Sequence, residues 1–127
     1  MIAGVGLDLV EIERIEGLLE RHGDGFARRI LHPDEDRGRL AHRDGPAHLA
    51  GLFAAKEAVM KALGTGMTGA GFTEIGILRQ PAGRPYVVLR GGALARAEEQ
   101  GIGEWHISIT HSKTSAAAMA VARRLEA

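Results

Sequence analysis

Apolar and small or polar residues alternate from position 2 to position 10. Val5, Leu7 and Leu9 fall on one face, Gly4, Gly6 and Asp8 on the other. A two-residue period predicts a β-strand. From 11 to 22 the period lengthens. Ile12, Ile15, Leu18 and Leu19 form one stripe of a 3.6-residue wheel. Glu13, Glu16 and Glu20 flank it on one side, Arg14 and Arg21 on the other, so an amphipathic helix is expected, stopped at Gly23. Residues 24–31 read as a short helical piece. Pro33 suits the first turn of a further helix, with Asp34, Glu35 and Asp36 near its positive end. Gly45 and Pro46 punctuate the chain, and a long helix is predicted over 46–63.

Strand signals follow at 72–78 and 86–89, with a turn over 81–85 (Pro-Ala-Gly-Arg-Pro) between them. Residues 93–100 read as a helix ended by Gly101. The stretch 105–110 alternates, with Ile107 and Ile109 on one face and Ser108 and Thr110 on the other. The alanines of 115–121 suit a strand or a helix. Helices set between strand pairs, without regular βαβ alternation, predict an α+β fold. A chain of 127 residues fits one domain, 1–127, with no repeat or linker.

Composition narrows the function. Sixteen basic and 16 acidic residues cancel, which argues against a nucleic-acid footprint spread over the molecule. Aromatics at 4% are few for a protein that stacks bases. The absence of cysteine excludes disulfides, thiolate catalysis and cysteine-bound zinc. No apolar run reaches the ~20 residues of a membrane span. The opening MIAGVGLDLVEI has no basic leader and carries Asp8, so no secretory signal is expected and the cytoplasm is the default location.

Candidate chemistry concentrates in FAAKEAVMKALGTG, residues 53–66, the end of the long helix and a glycine-rich loop. Glu57 and Lys61 are four apart and share a helical face. They suit a surface ion pair, or an acid for a metal beside a base for a phosphate. Ala50, Ala54 and Ala58 surround them and would leave them unshielded. Lys56 falls inside the stripe Leu49, Leu52, Phe53, Met60 and Leu63, so it must snorkel, pair with an acid or meet an anion. Asp8 is costly in a buried strand unless paired or bound to a metal. Its face, with Gly4 and Gly6, is either solvated or open to the close approach of a ligand or another backbone. Gly64 suits a helix cap. Gly64-x-Gly66-x-x-Gly69 follows a helix rather than a strand, so it is not a dinucleotide fingerprint. His22, His32, His42 and His48 are expected to be solvated. His111, with Thr110 and Ser112 at a strand end, offers several hydrogen-bonding groups.

Four blocks, GVGLDLVEIERI (4–15), FAAKEAVMKALGTG (53–66), GRPYV (83–87) and HISITHSKTSAAAMAVA (106–122), resemble the small bacterial 4′-phosphopantetheinyl transferases, the holo-acyl-carrier-protein synthase family. The match is collinear and covers nearly the whole chain. It implies the fold of that family, helices packed on a mostly antiparallel sheet, assembled as a homotrimer. It implies transfer of 4′-phosphopantetheine from coenzyme A to a serine of apo-acyl carrier protein, releasing adenosine 3′,5′-bisphosphate, in fatty acid biosynthesis. Magnesium would be held by Asp8 and Glu57, and Lys61 would stand near the pyrophosphate. These three are the expected catalytic residues.

The same resemblance assigns coenzyme A to Lys61, Gly64, Thr65, Gly66, Arg84, Pro85, His111 and Ser112, in clefts between subunits. The acidic carrier would dock on Arg14, Leu18 and Arg21, extended by Arg28 and Arg29. Leu52 stands where many relatives have an arginine. The alternative from another class is a non-catalytic coenzyme A or nucleotide-binding module. A further enzyme alternative accepts a peptidyl or synthase-embedded carrier instead.

Overall fold

Gly4, Gly6 and a row of alternate alanines let the longest helix lie directly against a sheet. The computed structural model describes residues 1–65 and 71–125. The sheet contains β1 (Ile2–Glu11), β4 (Ile102–His111) and β5 (Ser115–Arg124), antiparallel throughout in the order β1-β5-β4. Its inner face pairs Gly4 with Ala122, Gly6 with Ala120 and Asp8 with Ala118. Trp105, Ile107 and Ile109 continue that face across β4. Helix α3 (Gly45–Leu63) crosses it. Ala50, Ala54, Ala58 and Ala62, one turn apart, are buried. A Cβ on Gly4 would run into the carbonyl oxygen of Ala62, and one on Gly6 into that of Ala58. Small residues on both partners therefore set the distance between helix and sheet.

The orientation of β1 corrects the solvated reading of its glycine face. Val5, Leu7 and Leu9 are the exposed side, at 56%, 64% and 68%. They share an outer face with Met119, which pairs with Leu7. Alternation shows which residues share a face, and it leaves open which face is covered. The alanines of α3 are corrected likewise: they are helix–sheet packing, not an open surround for Glu57 and Lys61.

Helices α1 (Ile12–His22) and α2 (Asp24–Ile30) follow β1 and break at Gly23, whose φ of 53° suits glycine. The helix expected from Pro33 does not form. Residues 33–36 turn, and a short 3₁₀ helix spans Arg37–Ala41. Glu35 is drawn inward to Lys56, so its carboxylate is not spent on a helix N-terminus. The hairpin β2 (Ile75–Arg79) and β3 (Pro85–Leu89) forms a separate two-stranded sheet. Residues 72–74, expected to open β2, form a 3₁₀ turn instead. Helix α4 (Gly91–Glu99) leads to β4. The ambiguous alanine segment is a strand.

The core centres on α3. Leu49, Val59, Met60 and Leu63 are at most 1% exposed, each contributing roughly 1.5–3 kcal/mol of transfer free energy. Lys56 is as deeply buried. Its ammonium donates to Glu35 Oε1 at 2.6 Å and to the carbonyls of Ile30 and Phe72. The same carboxylate accepts from His32 N and Ile77 N, both at 2.8 Å. The lysine therefore pairs with an acid, one of the three outcomes open to it, and the pair joins α2, α3 and β2. Burial lowers the Lys56 pKa, and Glu35 acts against that shift.

Candidate active site

Asp8 reaches the end of the glycine face of β1, and Glu57 and Lys61 project from the last turns of α3 beside it. Lys61 Nζ donates to the carbonyl of Leu7 at 2.9 Å and lies 3.3 Å from Asp8 Oδ1. The ion pair expected between Lys61 and Glu57 is thus replaced by one with Asp8. Glycine at position 6 makes this possible, because it brings the β1 backbone against α3 one turn before Lys61. Glu57 is half-buried and accepts no hydrogen bond among the described residues. Burial first, and then the Asp8 carboxylate, raise its pKa; Lys61 and Arg14 act in the opposite direction. The site thus holds two carboxylates and one ammonium, with the Arg14 guanidinium near enough to act on Glu57.

Helix α3 ends as the sequence predicts. Gly64 adopts φ 76° and donates to Lys61 O, and Thr65 N donates to Met60 O at 3.3 Å. Gly66 lies outside the described residues.

His111 and its neighbours form a second locus. His111 ends β4 and lines a cleft of about 420 Å³ with Arg39, His48 and Arg79. Ser112 orders the β4–β5 turn: its Oγ accepts from Thr114 N at 3.2 Å and Ser115 N at 3.1 Å. Arg84 is exposed in the β2–β3 turn, and its carbonyl accepts from Gln80 N. Pro85 opens β3. Gly83, beside them, lines the cleft. Gly51, also in the cleft wall, and Lys61 are ten residues apart on α3, or about 15 Å along its axis. One chain therefore brings Asp8, Glu57 and Lys61 together, and gathers His111 with the β2–β3 turn elsewhere.

The basic residues of α1 and α2 lie at the surface. Arg14, Arg21, Arg28 and Arg29 are exposed and Leu18 is half-buried. Arg14 sits over the Phe53 ring at 5.8 Å, and Phe53 stacks on Phe72 at 5.1 Å. Because Arg14 also lowers the Glu57 pKa, helix α1 joins electrostatically to the carboxylate pair.

The sequence reading missed Arg39, His48 and Arg79. No local pattern marks them, since they come from a 3₁₀ turn, α3 and β2. His48 was expected to be solvated. It is half-buried, and burial, followed by Arg39 and Arg79, lowers its pKa. His32 also departs from that expectation: it is 6% exposed, and its Nδ1 accepts from Asp34 N.

Comparison with known proteins agrees with this geometry. The family described as the 4′-phosphopantetheinyl transferase superfamily matches residues 4–121. A holo-[acyl-carrier-protein] synthase of Solidesulfovibrio magneticus is 53% identical over 123 residues, covering 95% of this chain and 98% of the relative. One from Alkaliphilus metalliredigens is 46% identical, covering 96% and 99%. The crystal structure of the Neisseria meningitidis synthase superposes with a TM-score of 0.89 at 37% identity, covering 98% of this chain and 100% of that one. The Helicobacter pylori synthase in complex with coenzyme A gives 0.82 at 32% identity, covering 94% and 99%. With both carboxylates and the lysine at one locus and the match running through every element, the chain belongs to the 4′-phosphopantetheinyl transferase superfamily.

Proposed function

We propose that this chain is a holo-[acyl-carrier-protein] synthase, moving 4′-phosphopantetheine from coenzyme A to a serine of apo-acyl carrier protein. The observation that carries this is the meeting of Asp8, Glu57 and Lys61 where β1 crosses α3. In the reaction the serine oxygen bonds to the phosphorus next to pantetheine. The bond from that phosphorus to the bridging oxygen breaks, adenosine 3′,5′-bisphosphate leaves, and the serine proton passes to a base in the cleft. Phosphoryl transfer asks the protein mainly for position and charge.

Asp8 and Glu57 would hold Mg²⁺, which supplies charge neutralisation at the pyrophosphate. The donor set fits such an ion. Both ligands are hard oxygens, and Glu57 is half-buried with its charge unmet by any hydrogen bond among the described residues. The described residues contain no group of three or more His, Asp or Glu able to hold a metal. Two protein carboxylates would suffice for Mg²⁺, an ion that keeps several waters and takes substrate phosphate oxygens. Lys61, half-exposed and held among the described residues by Asp8 and one carbonyl, would turn its ammonium onto the pyrophosphate.

The outer sheet face supports assembly as a homotrimer. Val5, Leu7, Leu9 and Met119 form an exposed apolar surface on a small domain, and covering it would stabilise the fold. The separation of Lys61 from His111 supports coenzyme A clefts built from two subunits, with Gly64, Thr65, Arg84, Pro85, His111 and Ser112 bordering the nucleotide. Arg14, Leu18, Arg21, Arg28 and Arg29 form the docking face for the acidic carrier, steering it by charge. The chain works as one domain in the cytoplasm; among the described residues no helix is long and apolar enough to cross a membrane.

Intact-mass analysis tests the activity. Apo-acyl carrier protein incubated with the protein, coenzyme A and Mg²⁺ gains one 4′-phosphopantetheine, and a chelator prevents the gain. Coenzyme A binding without any mass change would instead support a non-catalytic binding module.

A further inference from the structure

The last carbonyls of an α-helix have no partner within it, and helix ends fray where nothing else binds them. Lys61 stands in the final turn of α3, so the direction of its side chain depends on how that end is held. A side chain from another element holds it. Gln100, at the C-terminal end of α4, donates from Nε2 to the carbonyl of Leu63, the last residue of α3, at 2.8 Å. In a planar trans peptide the C=O and N–H point in opposite directions. Binding the Leu63 oxygen therefore aims Gly64 N–H back at the carbonyl of Lys61, to which it donates at 3.1 Å. Gln100, the Leu63–Gly64 peptide and the Lys61 backbone form one hydrogen-bonded chain.

The anchor of that chain is fixed on several sides. Gln100 N donates to Ala97 O at 3.1 Å, and Gln100 O accepts from Arg124 Nε of β5 at 3.0 Å. Ala93 and Ala97 seat α4 in the core. At the other end of α4, Glu74 accepts from Gly92 N at 2.8 Å and from Ala93 N at 3.3 Å. Helix α4 is thus tied at both ends, and its last side chain reaches across to α3. At the far end of the chain the Lys61 ammonium donates to Leu7 O and lies beside Asp8.

We propose that Gln100 is a positioning residue for transfer, holding the final turn of α3 so that Lys61 meets the pyrophosphate of the donor. The proposal rests on the reading of Lys61 as the partner of that pyrophosphate. Gln100 needs no contact with donor or carrier; it acts through the Leu63–Gly64 peptide.

The test compares steady-state transfer by the full-length wild type, Gln100→Glu and Gln100→Lys, with a melting curve to confirm folding. Gln100→Glu keeps the shape and removes the donor. Its kcat/KM for coenzyme A is expected to fall roughly 3- to 10-fold, the worth of one hydrogen bond. Its KM for apo-acyl carrier protein stays within about twofold, because α1 and α2 are untouched. Gln100→Lys restores a donor at a helix C-terminus and recovers to within about twofold of the wild type. In a Lys61→Ala background, Gln100→Glu changes kcat/KM by less than about twofold, since its path ends on the missing ammonium.

An unchanged kcat/KM in folded Gln100→Glu overturns the proposal. So does the full loss persisting in the Lys61→Ala background, or a Gln100→Lys variant as impaired as Gln100→Glu. If Gln100→Glu does not fold, Gln100→Ala, which removes the donor without adding a charge, is read in the same way. Calorimetric binding of coenzyme A in the presence of Mg²⁺ follows the same dependence without transfer. If no carrier is modified, yet Gln100→Glu weakens coenzyme A binding only where Lys61 is present, the transferase reading fails and the positioning stands. If the wild type modifies the carrier and Gln100→Glu does so equally well, the positioning fails by itself.

Discussion

Lys61 Nζ lies 3.3 Å from Asp8 Oδ1, across the junction of strand β1 and helix α3. The two are 53 positions apart, and their meeting depends on the absence of a side chain at Gly6. In the free protein the lysine offsets one carboxylate of a like-charged pair. With a cation and a pyrophosphate present, its charge is available to the substrate instead.

Removing that ammonium costs rate while sparing the fold, because Lys61 is half-exposed and its pairing with Asp8 is at the surface. Lys61→Ala is expected to lower kcat by about 10²-fold or more. Its thermal unfolding stays close to that of the wild type. Steady-state kinetics beside a melting curve check both.

Glu57 makes the metal-free protein pH-sensitive. Its folded pKa lies above the unfolded value, so the folded state binds more protons in the window between the two. Stability therefore falls as pH rises from the ordinary glutamate range through the raised folded value, and stays lower above it. Glu57→Gln removes that slope. Melting temperatures across pH 4 to 7 (about the span of the titration) read the effect. Adding Mg²⁺ to protein already holding coenzyme A raises the wild-type midpoint further, and that metal-dependent increment is lost in the variant.

The buried pair of Lys56 and Glu35 predicts a stability loss without a specific catalytic defect. Lys56→Met leaves a carboxylate buried and unpaired, at a cost of about 3–5 kcal/mol. That is a large part of the 5–15 kcal/mol typical of a domain. Chemical denaturation measures it. The folded fraction that remains should retain its KM for coenzyme A.

Gly6→Ala tests the close approach of strand and helix. The new methyl meets the Ala58 carbonyl and forces β1 away from α3. Overpacking of this kind costs roughly 1–3 kcal/mol. Asp8 moves with the strand, so metal-dependent stabilisation weakens as well. A variant as stable and as responsive to metal as the wild type would show that the contact is not needed.

The exposed face of β1 predicts assembly. Leu9→Lys puts a charge on the apolar patch that Leu9 forms with Val5, Leu7 and Met119. Light scattering at micromolar concentration should give a trimer for the wild type and smaller species for the variant. A monomeric wild type with full activity would remove the shared-cleft arrangement.

Much of this was legible in the sequence because it is local. The helix through FAAKEAVMKAL, its Gly64 cap and the alternation of β1 follow from period and propensity. What was not legible depends on partners distant in sequence. Alternation placed Asp8 with Gly4 and Gly6, but only the alanines of β5 and α3 decide that this face turns inward. Acids after Pro33 resemble a helix start, yet Glu35 serves Lys56, 21 residues away. The spacing of Glu57 and Lys61 suggests an ion pair, whereas the lysine finds its acid on another element. Arg79 and His48 have no sequence signal, because their cleft is assembled from four separate segments.

The most direct measurement is an intact-mass time course of apo-acyl carrier protein with coenzyme A and Mg²⁺, run in parallel with wild-type protein and Glu57→Gln. The account predicts quantitative gain of one 4′-phosphopantetheine with the wild type and almost none with the folded variant. Conversion at the wild-type rate by Glu57→Gln would contradict the assignment of the carboxylate pair as the site of transfer.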